Sequence, residues 1–536
     1  MSTRLLMIAG LAVMLGTKAF AEPTSKGLDE STVPIRPGIP AERPFWNRYA
    51  RQFIYAPAFD IDAWRGPQAD GYKFTVHSDT SGKDYVFDAD RPFAPLSLIW
   101  KDLPVGPVTL KVEALGANGQ ILGEVGTRSF YRMPVFAGPY GKPDKSYAES
   151  AKWALQYQFN RPHYQGWKEG KRVEHLLNCY PNKIMSAVLF GMVRYAKLTD
   201  KPSEAKDALA MATNCARCLI SISFPKGSIM EYWPPTYDRD TETAKKRLKW
   251  ISETDRGFNV MTVFPADAGL AYLDLYDATG EKDFLEAAKR IADTYRKLQL
   301  PNGTWPLLIS TKTGKAADES LTIPNVPILF LDRLDRQYGL PDYKDTCRRA
   351  VDWMFENPMK TYLWQGQFED IRPSVGYLNL SHKPAVLFTI YLFDHAKEKP
   401  EYIALAEDLL RFSEDQFVVW EPCGPKEDRV TPCALEQYRC YGPIGSTMAR
   451  FIRAWTLAYT HTGKKEYLEK AQSLANSIIA YQARTGGQYR TWLFLNLNNN
   501  KKSNNWDNAA TEAAMALLDL SAALGEKQDK HQEAAQ

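Results

Sequence analysis

The chain has 536 residues, of which 44% are apolar, 24% charged and 12% aromatic, and its formal net charge is +4. This length and apolar content exceed one small module, and they exclude a disordered chain, a collagen and a disulfide-dense mini-protein. The small net charge argues against a dedicated nucleic-acid binder. The 14 Trp and 28 Tyr indicate either large cores or a binding surface made of rings.

The first 21 residues have the pattern of a secretory signal. Arg4 supplies the positive charge, residues 5–15 form an apolar run too short to span a bilayer, and Ala19-Phe20-Ala21 is a small-x-small cleavage site. We therefore expect cleavage after Ala21 and a secreted or periplasmic mature protein with no membrane span.

Residues 22–44 form an N-terminal extension, and residues 45–135 contain short segments with the pattern of strands. Residues 71–77 and 108–115 alternate apolar and polar side chains, with turn signals between such segments. This spacing predicts a small β-sandwich. Residues 100–112 resemble a fibronectin-III-type module, and residues 136–144 have the composition of a linker.

Residues 145–525 contain twelve segments with the 3.6-residue period of amphipathic helices, and residues 526–536 form a polar tail. Short turns such as Thr279-Gly280 and Thr462-Gly463 repeat, and each is followed by a new helix. The segments pair as six hairpins: 146–159 with 182–198, 203–222 with 258–278, 282–298 with 325–338, 342–355 with 382–396, 401–417 with 444–461, and 465–483 with 506–524.

The connections between these helices alternate between short turns and six loops of about twenty residues or more. Antiparallel helices place successive connections at opposite ends, so all six long loops gather on one face. The helices that follow the long loops are the more apolar set and predict an inner ring. This order of helices resembles the (α/α)6 toroid, a fold shared by many glycosidases and polysaccharide lyases. The predicted fold class is therefore mainly α, with a small β-sandwich domain before the toroid. An open superhelical solenoid is the alternative.

The seven cysteines all lie after the signal, and three of them, Cys423, Cys433 and Cys440, crowd one loop, where one disulfide is expected after export. Cys215-x-x-Cys218 has the spacing of a redox or zinc motif. It lies within a helix and without a second ligand pair, which favours buried structural cysteines.

Half of the 14 Trp fall in or beside the long loops, which predicts a sugar cleft floored by indole faces. The alternative is that the loops pack on their own aromatic residues. Carboxylates and Arg side chains alternate in the same loops, and Arg forks suit the carboxylate of an acidic sugar. The predicted binding residues are Trp167, Trp233, Arg256, Trp305, Trp364, Arg372, Trp420 and Trp492.

Two loop segments carry a resemblance to the toroid-type pectate lyases. They are Gly303-Thr-Trp-Pro306 and Trp364-Gln-Gly-Gln367, the second followed by Pro373-Ser374. In that family, corresponding turns help to build the sugar cleft. Thr304 stands where the family has Gly, and the family's catalytic Arg and Ca2+ ligands have no matched positions here. The resemblance therefore implies the location of a cleft, and it leaves a Ca2+ cofactor open.

The sequence thus predicts an exported enzyme that cleaves a uronic-acid-containing polysaccharide or oligosaccharide, with β-elimination slightly favoured over hydrolysis by two carboxylates. The alternative functions are a non-catalytic glycan-binding protein and a scaffold of the solenoid type. No P-loop, GxGxxG, HExxH or GxSxG motif is present. The candidate catalytic residues are His175, Tyr237, Asp238, Glu369, Tyr377 and His382, with Asp238 and Glu369 as the pair for hydrolysis.

Overall fold

The computed structural model describes residues 31, 49–58, 64–170, 173, 180–239, 242, 245, 249–374, 376–424, 427–496 and 505–526. The signal segment, the polar tail from residue 527 and most of the N-terminal extension lie outside these ranges, as do His175 and Cys179. No helix within the described ranges is long and apolar enough to cross a membrane.

The N-terminal unit is one five-stranded sheet with the strand order β1-β5-β4-β2-β3. All neighbours are antiparallel except β1, which pairs in parallel with β5. The prediction of a small sheet domain agrees with this sheet. The second sheet that a sandwich needs is not found among its described residues, and the fibronectin-III likeness is not shown. The strands are β1 (Gln52–Phe53), β2 (Gly71–Ser78), β3 (Lys83–Ala89), β4 (Gly106–Leu115) and β5 (Ile121–Arg132).

Twelve long helices follow among the described residues, and they match the predicted hairpins within a few residues at most ends. They are α1 (Tyr147–Phe159), α2 (Pro181–Leu198), α3 (Pro202–Ser221), α4 (Pro265–Thr279), α5 (Lys282–Leu298), α6 (Asn325–Tyr338), α7 (Lys344–Glu356), α8 (His382–Asp394), α9 (Tyr402–Phe417), α10 (Gly445–Thr462), α11 (Lys465–Ile479) and α12 (Asp507–Ala523).

The start of α4 differs most from the prediction. The stretch from Asn259 to Met261 forms a short strand, β6, which pairs with β7 (Leu308–Ser310) from the next long loop. Pro265 then begins the helix, at a position where a backbone N–H has no partner within the helix, so the lack of this group in proline breaks no hydrogen bond. Three further short strands, β8 (Val418–Val419), β9 (Cys433–Gln437) and β10 (Cys440–Pro443), form a sheet in the fifth long loop.

The even-numbered helices form a closed inner ring, in which each contacts the next and α12 returns to α2. This closure confirms the toroid and excludes the open solenoid. Small residues allow the close approach: a Cβ at Gly269 of α4 would lie 2.4 Å from the Phe330 ring of α6. Gly280, Gly339 and Gly463 end inner helices in the left-handed conformation, as the repeated short turns predict.

The seam of the ring is held by Asp507, the first residue of α12, whose side chain is buried. Its carboxylate forms an ion pair with Arg161 and lies 2.8 Å from the His163 Nε2 atom. Its carbonyl oxygen accepts a hydrogen bond of 3.0 Å from Gln158 of α1. Asp507 therefore contributes several contacts to the junction between the first hairpin and the last.

The N-terminal sheet is attached to the toroid through α9. Asp415 is buried there, and its Oδ1 atom accepts hydrogen bonds from the backbone N–H groups of Ile54 and Tyr55, at 2.7 and 2.8 Å. Burial raises the pKa of Asp415 to about 7. Gln52 adds a hydrogen bond of 3.2 Å to the Val418 carbonyl oxygen.

Cys423, Cys433 and Cys440 are free thiols; Cys215, also free, is buried on α3, where Cys218 is partly buried. The predicted disulfide among Cys423, Cys433 and Cys440 is therefore wrong. Cys433 is buried in the short loop sheet, so the crowding in sequence reflects packing of this loop.

We expect Asp507→Ala to lower the free energy of unfolding by about 3 kcal/mol or more, because it leaves the partly buried Arg161 guanidinium without its carboxylate and removes the contact to His163. Chemical denaturation of the full chain measures this. The matched control is Glu356→Ala, which removes an exposed carboxylate paired with Lys360 and should cost at most about 1 kcal/mol. Equal losses in the two variants would contradict the assignment of Asp507 as the seam.

Candidate active site in the axial cavity

The inner ring encloses a cavity of about 250 Å³ along the barrel axis, which we call the axial cavity. Its mouth lies at the long-loop end, where the inner helices begin, and its rear lies at the short-turn end. Nine charged residues line it, and six of them are basic, which leaves three positive charges in excess when all are ionised. They are Lys183, Arg194, Asp267, Asp274, Arg333, Lys383, Arg450, Arg453 and Glu512.

Five charged side chains of this set stand within the first two turns of inner helices. Lys183 is on α2, Asp267 on α4, Lys383 on α8, Arg450 on α10 and Glu512 on α12. Because the ring is closed, these five helix beginnings face one another across the mouth. Such convergence of opposite charges in a concave pocket is typical of a functional site.

Two members of this group have no hydrogen bond or ion pair through their charged atoms within the described part of the chain: Asp267 and Lys383. Burial raises the pKa of Asp267 to about 6, and the Glu512 carboxylate contributes to the rise. Burial and the Arg450 guanidinium lower the pKa of Lys383. The Lys383 Nζ atom lies 5.3 Å from the centre of the Phe264 ring. Their environments thus move the pKa values of a carboxyl and an amine toward each other, as proton transfer requires.

Arg450 is fixed between two partners at the cavity wall. Its Nη2 atom donates to Glu512 at 2.8–2.9 Å, and its Nη1 atom lies 3.3 Å from the Nε2 atom of His382. A guanidinium only donates, so Nε2 accepts the hydrogen bond. The Nδ1 atom lies 3.0 Å from the Glu436 carbonyl oxygen, which only accepts, so Nδ1 carries the proton.

His382 is therefore neutral, and both of its ring nitrogens are engaged. It is completely buried, and burial together with Arg450 lowers its pKa well below the ordinary value. These contacts occupy both ring nitrogens, which argues against the predicted role of His382 as a catalytic base or acid. In the structure the residue orients Arg450.

Glu369 lies at the mouth, where Lys183 extends to it. The Lys183 Nζ atom is 2.6 Å from Glu369 Oε1. Burial alone would raise the pKa of Glu369, but the Lys183 ammonium brings it below the ordinary value. The backbone carbonyl oxygen of Glu369 accepts hydrogen bonds from the Tyr237 hydroxyl and, at 2.7 Å, from Arg256. The structure thus brings three predicted residues, Glu369, Tyr237 and Arg256, to the mouth.

The remaining predicted polar residues are placed less centrally. Asp238 is buried beside Tyr237 in sequence, and Arg372 is exposed. The Tyr377 hydroxyl donates a hydrogen bond of 2.6 Å to the Thr361 carbonyl oxygen, so this hydroxyl helps to hold the loop in place. None of Asp238, Arg372 and Tyr377 lines the axial cavity. His175 lies outside the described residues.

The loop tryptophans are mostly interior, contrary to the predicted cleft of exposed ring faces. Trp233 and Trp305 donate hydrogen bonds to carbonyl oxygens of α5, at 3.1 and 2.8 Å, and Trp420 donates to Glu414 at 2.9 Å. The long loops bury their own aromatic residues against the outer helices, which was the alternative explanation. Five of these side chains are at most 1% exposed: Trp167, Trp233, Trp305, Trp364 and Trp420.

Trp492 is the predicted stacking residue that stays partly exposed. It packs edge-to-face against the partly exposed Trp506, with ring centroids 5.6 Å apart. The Lys183 Nζ atom lies 5.4 Å from the centre of the Trp506 ring. An aromatic pair therefore borders the mouth, although it is much smaller than the predicted platform. The side chain of Trp250 lies outside the described part of the structure.

Within the described ranges, no group of three or more His, Cys, Asp or Glu side chains is arranged to hold a metal ion. Most charged groups around the mouth are instead engaged with one another in pairs of opposite sign, and Asp267 and Lys383 are the exceptions among the described residues. The described residues therefore offer no such carboxylate group for the Ca2+ that the resemblance leaves open.

Several solved structures resemble the chain in fold. Cellobiose 2-epimerase from Spirochaeta thermophila aligns with a TM-score of 0.50 and 13% identity, over 70% of this chain and 97% of the other. A family 76 glycoside hydrolase from a bovine Bacteroides thetaiotaomicron strain has a TM-score of 0.46 and 11% identity, over 89% and 97%. An unsaturated glucuronyl hydrolase specific for heparin has a TM-score of 0.46 and 12% identity, over 72% and 98%.

Comparison of the sequence with protein-family models and with curated proteins gives no match. At 13% identity, the likeness to the epimerase establishes the fold alone. Together with the closed inner ring, it defines this chain as a six-hairpin (α/α)6 toroid with a small N-terminal sheet domain.

The burial of the loop indoles leads to a test. We expect Trp305→Ala to lower the free energy of unfolding by about 3–5 kcal/mol, because it leaves a large cavity against α5. Trp506→Ala should cost clearly less, since that ring is partly exposed. Thermal unfolding of both variants measures the difference. A Trp305→Ala protein as stable as the parent would restore the exposed-cleft hypothesis.

Proposed function

We propose that the protein is an exported carbohydrate-active enzyme, that the axial cavity is its active site, and that it cleaves a uronate-containing glycan by β-elimination. The observation that carries the proposal is the pair of unengaged groups at the mouth, Asp267 and Lys383, in a cavity with excess positive charge. The structurally similar cellobiose 2-epimerase is named for a carbohydrate, which favours the same substrate class here. Export rests on the signal pattern of the sequence.

The positive lining supports an anionic substrate. Lys183 has three donors and uses one on Glu369, and Arg450 is held rigidly by His382 and Glu512. Both face the cavity. Positive groups fixed in this way would stabilise the charge that develops on a uronate carboxylate when the adjacent C5 proton is removed.

The acid and base of an elimination follow from the two perturbed pKa values. In its neutral form, Lys383 accepts the C5 proton, and the electron pair of that C–H bond forms the C4–C5 double bond. The bond from C4 to the glycosidic oxygen breaks, and protonated Asp267 donates its proton to that leaving oxygen. The products are an unsaturated uronate and a chain with a free hydroxyl.

Hydrolysis is the second candidate, and the ion pairs argue against it. Two carboxylates, one of them free to act as base or nucleophile, are required. Within the described lining of the cavity, Glu512 is paired with Arg450 and Asp274 with Arg333, so Asp267 stands alone. The sequence predicts Asp238 and Glu369 as the two carboxylates for hydrolysis. They do not supply the missing second carboxylate, because Glu369 is engaged by Lys183 and Asp238 lies outside the cavity lining.

The direct test incubates the mature protein with a panel of acidic polysaccharides and follows the ultraviolet absorbance of unsaturated uronate. We expect activity on at least one polymer, and a loss of about 10²–10⁴-fold in Asp267→Asn and Lys383→Met. Glu356→Gln, at an exposed position on the outer helix α7 and outside the cavity lining, is the control. New reducing ends without this absorbance would replace elimination by hydrolysis, and binding without cleavage would favour the glycan-binding alternative.

The pH dependence of kcat/KM provides a second test. Elimination needs neutral Lys383 together with protonated Asp267, so the two limbs of the bell report the titration of this pair. The Glu512 carboxylate raises both pKa values, so Glu512→Gln should lower both and shift the whole bell to lower pH. A profile that stays in place, or that moves to higher pH, would contradict these assignments.

A further inference from the structure

The rear of the barrel carries a second pocket, of about 310 Å³, at the short-turn end of the inner ring. Three basic side chains and one acidic side chain line it, beside an apolar wall. The lining comes from α2, α10 and α12 and consists of Arg194, Lys197, Leu198, Arg453, Met515, Leu518 and Asp519.

The guanidinium groups of Arg194 and Arg453 are only partly neutralised. Arg194 contacts Asp274 at 3.5 Å through Nη2, while the other oxygen of that carboxylate receives a 2.7 Å bond from Arg333. Arg453 reaches Asp519 at 3.4 Å through Nε alone. Lys197 is exposed and has no ion pair among the described residues. The pocket therefore keeps guanidinium donors that no described carboxylate saturates.

This pocket is separate from the mouth. Arg194 follows Lys183 by eleven residues on α2, which corresponds to about 16 Å along the helix axis. An apolar waist, which includes Phe190, Leu270 and Leu387, lines the cavity between the two charged ends. Arg194 and Arg453 border both cavities, so the rear pocket adjoins the axial cavity without containing Asp267 or Lys383.

We propose that the rear pocket is a second binding site, which takes the carboxylate or sulfate group of a small anionic ligand. Two guanidinium forks on neighbouring parts of the ring suit an anion with several acceptor oxygens, and Lys197 adds a mobile third donor. The apolar wall formed by Leu198, Met515 and Leu518 excludes water from one side of the ligand. The site is independent of the chemistry at the mouth.

Calorimetric titration of the full chain with inorganic sulfate, and separately with free galacturonate, tests this site. We expect saturable binding of at least one probe, weakened at least about 10-fold in Arg194→Gln/Arg453→Gln, because each charged hydrogen bond contributes about 1.5–3 kcal/mol. Binding should persist in Lys383→Met, which alters the mouth. It should also persist in Arg217→Gln, which removes an exposed Arg of the outer helix α3.

The outcomes distinguish a sugar acid from a free inorganic anion as the ligand, and the rear pocket from the mouth as the binding site. Binding of galacturonate but not sulfate identifies a sugar acid as the ligand, and the reverse identifies a free inorganic anion. No saturable binding of either probe, or binding that the double variant leaves unchanged, overturns the proposal. Loss in Lys383→Met alone would place the anion at the mouth and also overturn it. If the double variant fails to fold, Arg453→Lys is the replacement. It keeps the positive charge but removes the planar guanidinium group with its paired donors, and it should still weaken binding.

Discussion

The closure of the inner helical ring is the constraint on which the rest of the structure depends. Because α12 packs against α2 and Asp507 ties the last hairpin to the first, six inner helices are forced to begin around one axis. Charged residues that are far apart in sequence, such as Lys183 and Glu512, then face a common cavity. An open array would spread the same side chains along a surface, where water would screen them and leave their pKa values near ordinary ones.

The buried charges at the mouth show how this arrangement produces chemical function. Most of them are neutralised in pairs, such as Lys183 with Glu369 and Arg450 with Glu512, which reduces the cost of removing them from water. Asp267 and Lys383 are left over, at the beginnings of α4 and α8, which α6 separates in the ring. We regard this incomplete pairing as the feature that marks the cavity as an active site rather than a structural core.

The helices and their order were predictable because a 3.6-residue period, glycine C-caps and repeated turns are local signals. The predicted hairpins therefore agree with α1–α12, apart from shifted ends such as that of α4. The site was predicted less well, because loop composition cannot distinguish an indole that faces solvent from one that packs under its own loop. Trp305 and Trp364 are buried for the second reason. A usable signal was present: Asp267, Lys383 and Glu512 are charges near the beginnings of inner helices, where a charge is costly unless it is paired or has a function.

A crystal structure of the Asp267→Asn protein with an acidic oligosaccharide bound would test the assignment of the active site. We expect a uronate unit in the axial cavity, with its carboxylate near Lys183 or Arg450 and its C5 atom within reach of the Lys383 amine. A saccharide bound across the outer surface of the long loops, beside Arg372 and Tyr377 and with the axial cavity free of sugar, would contradict it.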